Sequence, residues 1–278
     1  MIPDPYADRN TYRTLQEAGD LTYFRVSVDE TDLSIGARRD LSREALAAVL
    51  EARRQVTAQI ADRPRFRTSL EPLRPHGTES PLIRQMLEAG RLAQVGPMAA
   101  VAGAIADYVG RSLIKLSREV IVENGGDVFL FGEKKRSVAV VAGGSPLSGL
   151  LAIAVAPREG CGVCTSSGTV GHSLSLGKAD AALVVAKDCA LADAAATRLG
   201  NLVQSPEALD SPLDEICAIP GVEGALVIAG DRIGIKGNIV LQPIRGAAEN
   251  YRNRLPDRAV RRDIRGTVFS LQKVLGAV

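Results

Sequence analysis

Glu119-Val120-Ile121-Val122, then Glu123-Asn124-Gly125-Gly126-Asp127, then Val128-Phe129-Leu130-Phe131: an apolar strand, a polar segment with paired glycines, and a second apolar strand. β-Branched and aromatic side chains favour the pleated backbone, and glycine turns the chain because it adopts positive φ without a Cβ clash. Working outward, Ser137–Ala142, Leu150–Ala156 and Ala181–Ala186 have the same composition, and Gly132–Arg136 is expected to be a hairpin connection. Val222–Ala229 and Ile233–Ile235 flank a Gly230-Asp231 turn, and a last strand is expected near Ile239–Leu241. Toward the N-terminus, Leu21–Val28 alternates as a strand does, and Thr31–Ala37 pairs with it across Asp29-Glu30.

Helices fall in groups between these strands. One is capped by Asp40 or Ser42, runs to about Ala61 with Leu46, Val49 and Leu50 on its apolar face, and is ended by Pro64. Arg63–Gly77, with Pro64, Pro72 and Pro75, reads as an extended connector, followed by a helix near Pro81–Arg91. Cys189–Leu202 and Pro206–Cys217 read as two more. Val95–Val109 is almost wholly small and apolar, with Gly96, Gly103 and Gly110 spaced through or just after it. It reads as a buried helix whose neighbours pack closely, the alternative being a helix laid against a ligand. Runs of strands with grouped helices predict an α+β fold, mostly antiparallel strands with packed helices, rather than regular βαβ units. One unit over residues 1–278 is expected, the alternative being two lobes, about 1–118 and 119–278.

Composition excludes several function classes. A formal charge of +2, from 34 basic and 32 acidic residues, gives no general attraction for polyanions, and 4% aromatics without Trp leaves little for base stacking. Nucleic acid is therefore not the expected partner. Met1–Pro5 lacks a signal-like start, and Met98–Ala106 is too short to span a bilayer, so no membrane association and a cytoplasmic location are expected. Cys161 and Cys164 form a Cys-x-x-Cys pair without the second pair or His spacing of a zinc site, so the preferred role is small buried apolar residues. Six arginines within Arg252–Arg265 suit an exposed helix face or a subunit contact better than an anion site.

Three segments carry chemistry. In the first, Gly125 and Gly126 let a ligand approach bare backbone, with Asn124 and Asp127 beside it; the same residues also make an ordinary tight turn. The second is Thr165-Ser166-Ser167-Gly168-Thr169-Val170-Gly171-His172. Its hydroxyls and glycines suit phosphate oxygens, and His172 suits proton transfer; His76, in the proline-rich connector, is read as incidental. In the third, Asp193 and Thr197 lie four apart on one helix face among alanines, a pair of hard oxygen donors suited to Mg²⁺.

In this order the segments resemble the ApbE-like superfamily, the bacterial flavin transferases, in the form of a cytoplasmic branch. The resemblance is clearest over Val95–Val203 and rests on the Glu-Asn-Gly-Gly-Asp turn, the Ser-Gly-Thr-x-Gly-His-Ser loop at Ser167–Ser173, and the Ala-Asp-Ala-x-x-Thr helix. It implies FAD or FMN as cofactor with Mg²⁺, and metal ligation by Asp193 and Thr197. Asn124, Gly125, Gly126 and Asp127 would lie beside the nucleotide. Thr165, Ser166, Ser167, Gly168 and Thr169 would form the phosphate loop, and His172 the catalytic group. Gly103 and Asp107 stand where the transferases have a Lys-Gly-x-x-x-Asp helix, but Ala102 replaces the lysine, and the loop before His172 is shorter.

What the resemblance implies is a protein that binds a small phosphorylated cofactor, with flavin or nucleotidyl transfer or hydrolysis as its reaction. One alternative is a non-flavin enzyme or accessory protein of pterin-linked one-carbon metabolism, since relatives of this branch occur in methane-producing archaea and one-carbon bacteria. Another is a homo-oligomeric scaffold without catalysis, joined through the small-residue helix and the arginine-rich stretch.

Overall fold

A computed structural model describes residues 19–166 and 177–244, together with the backbone of 268–270. The opening hairpin forms as read: β3 (Val120–Asn124) and β4 (Asp127–Phe131) pair antiparallel, Asn124 opposite Asp127. Outside it lie β1 (Thr22–Val28) and β2 (Thr31–Ala37) on one side. On the other lie β7 (Cys161–Ser166), β8 (Ala181–Ala186), β9 (Val222–Ala229), β10 (Arg232–Gly237) and β12 (Val268–Ser270). These make one nine-stranded sheet in the order β1-β2-β3-β4-β7-β8-β9-β10-β12, every pairing antiparallel. A three-stranded sheet, β11-β6-β5, is built from β5 (Arg136–Ala139), β6 (Leu151–Val155) and β11 (Val240–Pro243). The fold is α+β.

Alternation along the large sheet feeds two cores. Val120, Val122, Phe129, Cys164, Val184 and Val227 face the helices. Val128, Leu130, Val163, Leu183, Val185 and Leu226 face the other way, against Val140, Leu151 and Ile153 around the small sheet. With both faces covered, β8 is buried at all six positions, which is why Ala181–Ala186 shows no polar alternation. Gly132–Arg136 is not a hairpin connection: it carries the chain from the large sheet to the small one.

The helices are α1 (Ser42–Asp62), the single turn α2 (Arg65–Thr68), α3 (Pro81–Ala93), α4 (Val101–Leu113), α5 (Cys189–Leu202) and α6 (Asp210–Cys217). Three expectations are corrected. α1 buries Ala45, Ala48, Val49, Ala52 and Val56, leaving Leu46 and Leu50 exposed, because small side chains let it lie closer to its neighbours than leucines would. The connector contains α2, formed because Phe66 finds a fully buried place. Val95–Val109 is not one helix: Gln94 takes a left-handed conformation, a 3₁₀ turn spans Pro97–Ala100, and α4 starts at Val101. Among the described residues no single helix is long and apolar enough to cross a membrane.

α5 sits directly on β7. A Cβ at Gly162 would fall 2.4 Å from the Cys189 Cα, so only glycine lets the helix start there. Gly162→Ala should therefore lower stability by about 1–3 kcal/mol, the usual range for overpacking. Gly144→Ala, where nothing lies within 4 Å of the added carbon, should stay within about 0.5 kcal/mol. Urea unfolding of both variants tests this, and equal shifts would refute it.

The two sheets are tied near Asp20. Arg136 bridges Asp20 at 2.9 Å and the buried Glu119 at 2.7 Å, and Lys134 reaches Asp20 at 2.8 Å. Hydrogen bonds from Arg136 and then Lys134 hold the Asp20 carboxyl well below the usual carboxylate range. A carboxylate whose pKa is lower folded than unfolded stabilises the protein above its unfolded pKa, and that contribution fades as pH falls further. Asp20→Asn should thus flatten the loss of stability below roughly pH 4, read as unfolding midpoint against pH.

Candidate functional site

The β3–β4 turn supplies the first wall. Gly125 and Gly126 both have positive φ, 67° and 107°, as a two-residue hairpin turn of this hand requires. The Glu123 carboxylate accepts the Gly126 N–H at 3.0 Å and closes the turn from one side. On the helix-facing side, Asn124 and Asp127 are both buried, and Asn124 Nδ2 donates to the Ala102 carbonyl at 3.0 Å. The turn is thereby fastened to the start of α4.

α5 supplies the second wall. Its N-cap, Asp188, accepts the Leu191 N–H at 2.8 Å. One turn in, Asp193 Oδ2 accepts the Gly103 N–H at 2.9 Å. This approach depends on Gly103, where a Cβ would come within 2.2 Å of the Cys189 carbonyl. Asp193 keeps some accessible surface but is densely surrounded. Burial, and after it the Asp127 carboxylate, push its carboxyl well above the usual range, against the hydrogen bonds from Gly103 and Ala102 N–H. Thr197, half-buried, follows one turn later on the same face.

β7 supplies the third. Thr165 and Ser166 stand on this strand, not in a loop. Cys164 pairs in register with Asp127 and faces the helices. By alternation Ser166 shares that face, while Thr165 points to the other side of the sheet, away from the carboxylates. Asn124, Asp127, Asp193 and Ser166 thus come from three walls to one place, with Gly103 of α4 hydrogen-bonded to Asp193. Ser167, Gly168, Thr169 and His172 lie outside the described residues, as does Arg252–Arg265. His76 is on the connector, its N–H donating to Glu79.

Sequence reasoning missed the role of Asp107. It is buried, ion-paired with Arg111 at 2.6 Å, and accepts the Cys189 N–H at 3.4 Å, so it anchors the end of α5 that the site depends on. The i,i+4 spacing of Asp107 and Arg111 was the available signal. Arg111 also lies 5.6 Å from the centre of the Phe129 ring. The Cys-x-x-Cys pair is divided by the strand: Cys161 joins the inter-sheet core and Cys164 the helix-side core. Burial pushes the Cys161 thiol up to about 12 and the Cys189 thiol up to about 11.

Two carboxylates brought together in a buried place repel each other, and a divalent cation would remove that repulsion. Among the described residues no three His, Cys, Asp or Glu side chains are grouped as a metal cage. Asp193 and Asp127 offer carboxylate oxygens, hard donors of the kind Mg²⁺ takes when water and phosphate complete its shell. A cavity of about 690 Å³ opens elsewhere, beside Cys161 and Lys187. Arg111 and Asp188 reach it, but none of Asn124, Asp127, Gly103, Asp193 and Ser166 lines it.

The architecture is that of the ApbE flavin transferases. The apo form of flavinyl transferase ApbE from Pseudomonas stutzeri superposes with a TM-score of 0.52 at 14% identity, covering 83% of this chain and 96% of that one. A family model described as "AbpE bacteria" matches residues 13–216, and the chain belongs to that family. Among its relatives are UPF0280 proteins of two archaea. That of Methanococcus aeolicus is 37% identical over 222 residues, covering 77% of this chain and 90% of that protein. That of Methanothrix thermoacetophila is 39% identical over 233 residues, covering 82% and 96%.

A carboxyl whose pKa is higher folded than unfolded stabilises the protein below its unfolded pKa and loses that contribution as pH rises toward its folded value. At neutral pH without metal, Asp193→Asn should therefore raise stability, because it removes the cost of ionising a buried carboxyl beside Asp127. It should also reduce the decline of stability above about pH 4. Thermal melts in chelator-treated buffer across pH test this; a destabilised variant at neutral pH would contradict it.

Proposed function

We propose that this protein binds a flavin nucleotide, or a closely related phosphorylated cofactor, together with Mg²⁺, and acts on its phosphate linkage by transfer or hydrolysis. The observation that carries the reading is the Asp193–Asp127 pair, with Asp193 fastened to backbone N–H groups of α4 and Asp127 set beside the hydroxyl-bearing end of β7. When bound, the cation would neutralise charge on the phosphate oxygens. Asp193 and Thr197 would hold it from α5. Ser166 would orient the phosphates beside the turn, whose Gly126 N–H is held by Glu123, and Asn124 keeps the turn seated on Ala102. His172, at the far end of the hydroxyl-rich segment, is assigned the proton transfer on its chemistry.

Ala102 favours a second reading. In the transferases the resemblance places a lysine there, and its loss removes a cation from beside the nucleotide. A cofactor with less phosphate charge, such as a reduced pterin, is the alternative ligand. Gly103, Ala104, Ala106 and Val109 of α4 are buried inside the fold, which counts against the small-residue helix as the interface of a scaffold.

Calorimetric titration with FAD and Mg²⁺, followed by chromatography for released FMN, tests the proposal. Mg²⁺-dependent binding is expected, weakened at least about tenfold in Asp193→Asn through the lost ligand charge. Absence of binding, of FMN release and of any Asp193→Asn effect would refute it. Binding of a reduced pterin in preference to FAD would select the second reading.

A further inference from the structure

The strand that separates Cys161 from Cys164 gives Cys164 a different neighbour. Cys189, the first residue of α5, lies with its Sγ 3.6 Å from the Cys164 Sγ, and the Cys164 thiol also meets the Cys189 carbonyl at 3.4 Å. The approach is built into the backbone, since Gly162, on the same face of β7 as Cys164, leaves room for Cys189 to rest on the strand. Both side chains are fully buried. A disulfide needs its sulfurs about 2.05 Å apart, so the pair must close by roughly 1.5 Å, a distance within reach of side-chain rotation. Cys161 faces the other core and Cys217 lies on α6, so neither competes for the partner.

We propose that Cys164 and Cys189 are a reversible disulfide site that locks α5 onto β7. The oxidant is a small-molecule disulfide. One protein thiolate attacks it, forming a mixed disulfide and releasing one thiol. The second protein thiolate displaces the other half as a second thiol. Two S–H bonds of the protein are lost, one S–S bond forms, and the two protons and two electrons leave with the reduced oxidant. Because both thiols are covered, exchange proceeds through a brief parting of α5 from β7.

The bond joins two of the elements that carry the site, β7 and α5. Cys164 is the register partner of Asp127, and Cys189 precedes Asp193 by one helical turn on the same face. The closed ring, 164–189, contains the whole hydroxyl-rich segment with His172. Oxidation therefore fixes the spacing of the two carboxylates, Asp127 beside Cys164 and Asp193 one turn after Cys189. This consequence rests on the proposed cofactor site; the disulfide itself does not.

The full chain is incubated to equilibrium in graded ratios of oxidised to reduced glutathione, then alkylated and digested without reduction. The expected product joins the Cys164 and Cys189 peptides, leaves Cys161 and Cys217 alkylated, and reverts with dithiothreitol. Its melting temperature should be higher by roughly 5 °C. Cys164→Ser and Cys189→Ser should each abolish the product. Four alkylated cysteines at the oxidising end, also after equilibration in sub-denaturing urea, would overturn the proposal, as would a different pairing or stable glutathione adducts. FAD and Mg²⁺ titrations of both forms should differ severalfold in affinity. Equal affinities would overturn the coupling, whereas no binding by either form strikes the cofactor reading and leaves the disulfide standing.

Discussion

Helix α5 rests on strand β7 and against helix α4 with glycine at both contacts, Gly162 and Gly103, and most of what is distinctive in this molecule follows from that closeness. The Cys189 backbone occupies the space two side chains would have taken. Its N–H is received by Asp107, whose charge is met by Arg111. With the start of the helix fixed in this way, Asp193 one turn later can reach the Gly103 N–H and lie beside Asp127. Interiors packed this densely transmit small displacements, so a change at either glycine is felt at the carboxylates.

The buried acids divide by their surroundings. Asp107 has a guanidinium, and Glu119 has another from Arg136. Such pairs hold elements together, and their arrangement asks for no ligand. Asp193 instead meets backbone N–H groups and a second carboxylate, and burial raises its proton affinity. An acid held in a place where its ionised form is disfavoured is a candidate functional position. It is this contrast, rather than any cavity, that singles out the α4–α5–β3–β4 junction.

Much of the fold was legible in the residues. β1, β2, β8, β9, α3 and α5 follow from local composition, caps and periodicity, because those signals act over a few residues. Leu46 and Leu50 misled for a physical reason. Which stripe of a helix faces inward depends on how near the neighbour lies, and the alanines of α1 allow a closer approach than leucines do. The Val95–Val109 stretch misled for a related reason, since an unbroken apolar run does not show that the backbone turns at Gln94. β7 was hidden behind a cysteine motif and a run of hydroxyls, neither of which has a strong strand signature.

The sequence by itself determined the β3–β4 turn, the donor groups carried by Asn124, Asp127, Asp193 and Thr197, and the family resemblance, since each is a matter of residue type and short spacing. Tertiary structure alone decided that Asp193 lies beside Asp127, that Thr165 turns away while Ser166 turns toward them, and that Cys164 belongs with Cys189 rather than Cys161. These are contacts between elements far apart in the chain. They are set by strand register and by the absence of a Cβ at Gly103 and Gly162, and nothing local in the sequence encodes which distant backbone will fill the space a glycine leaves open.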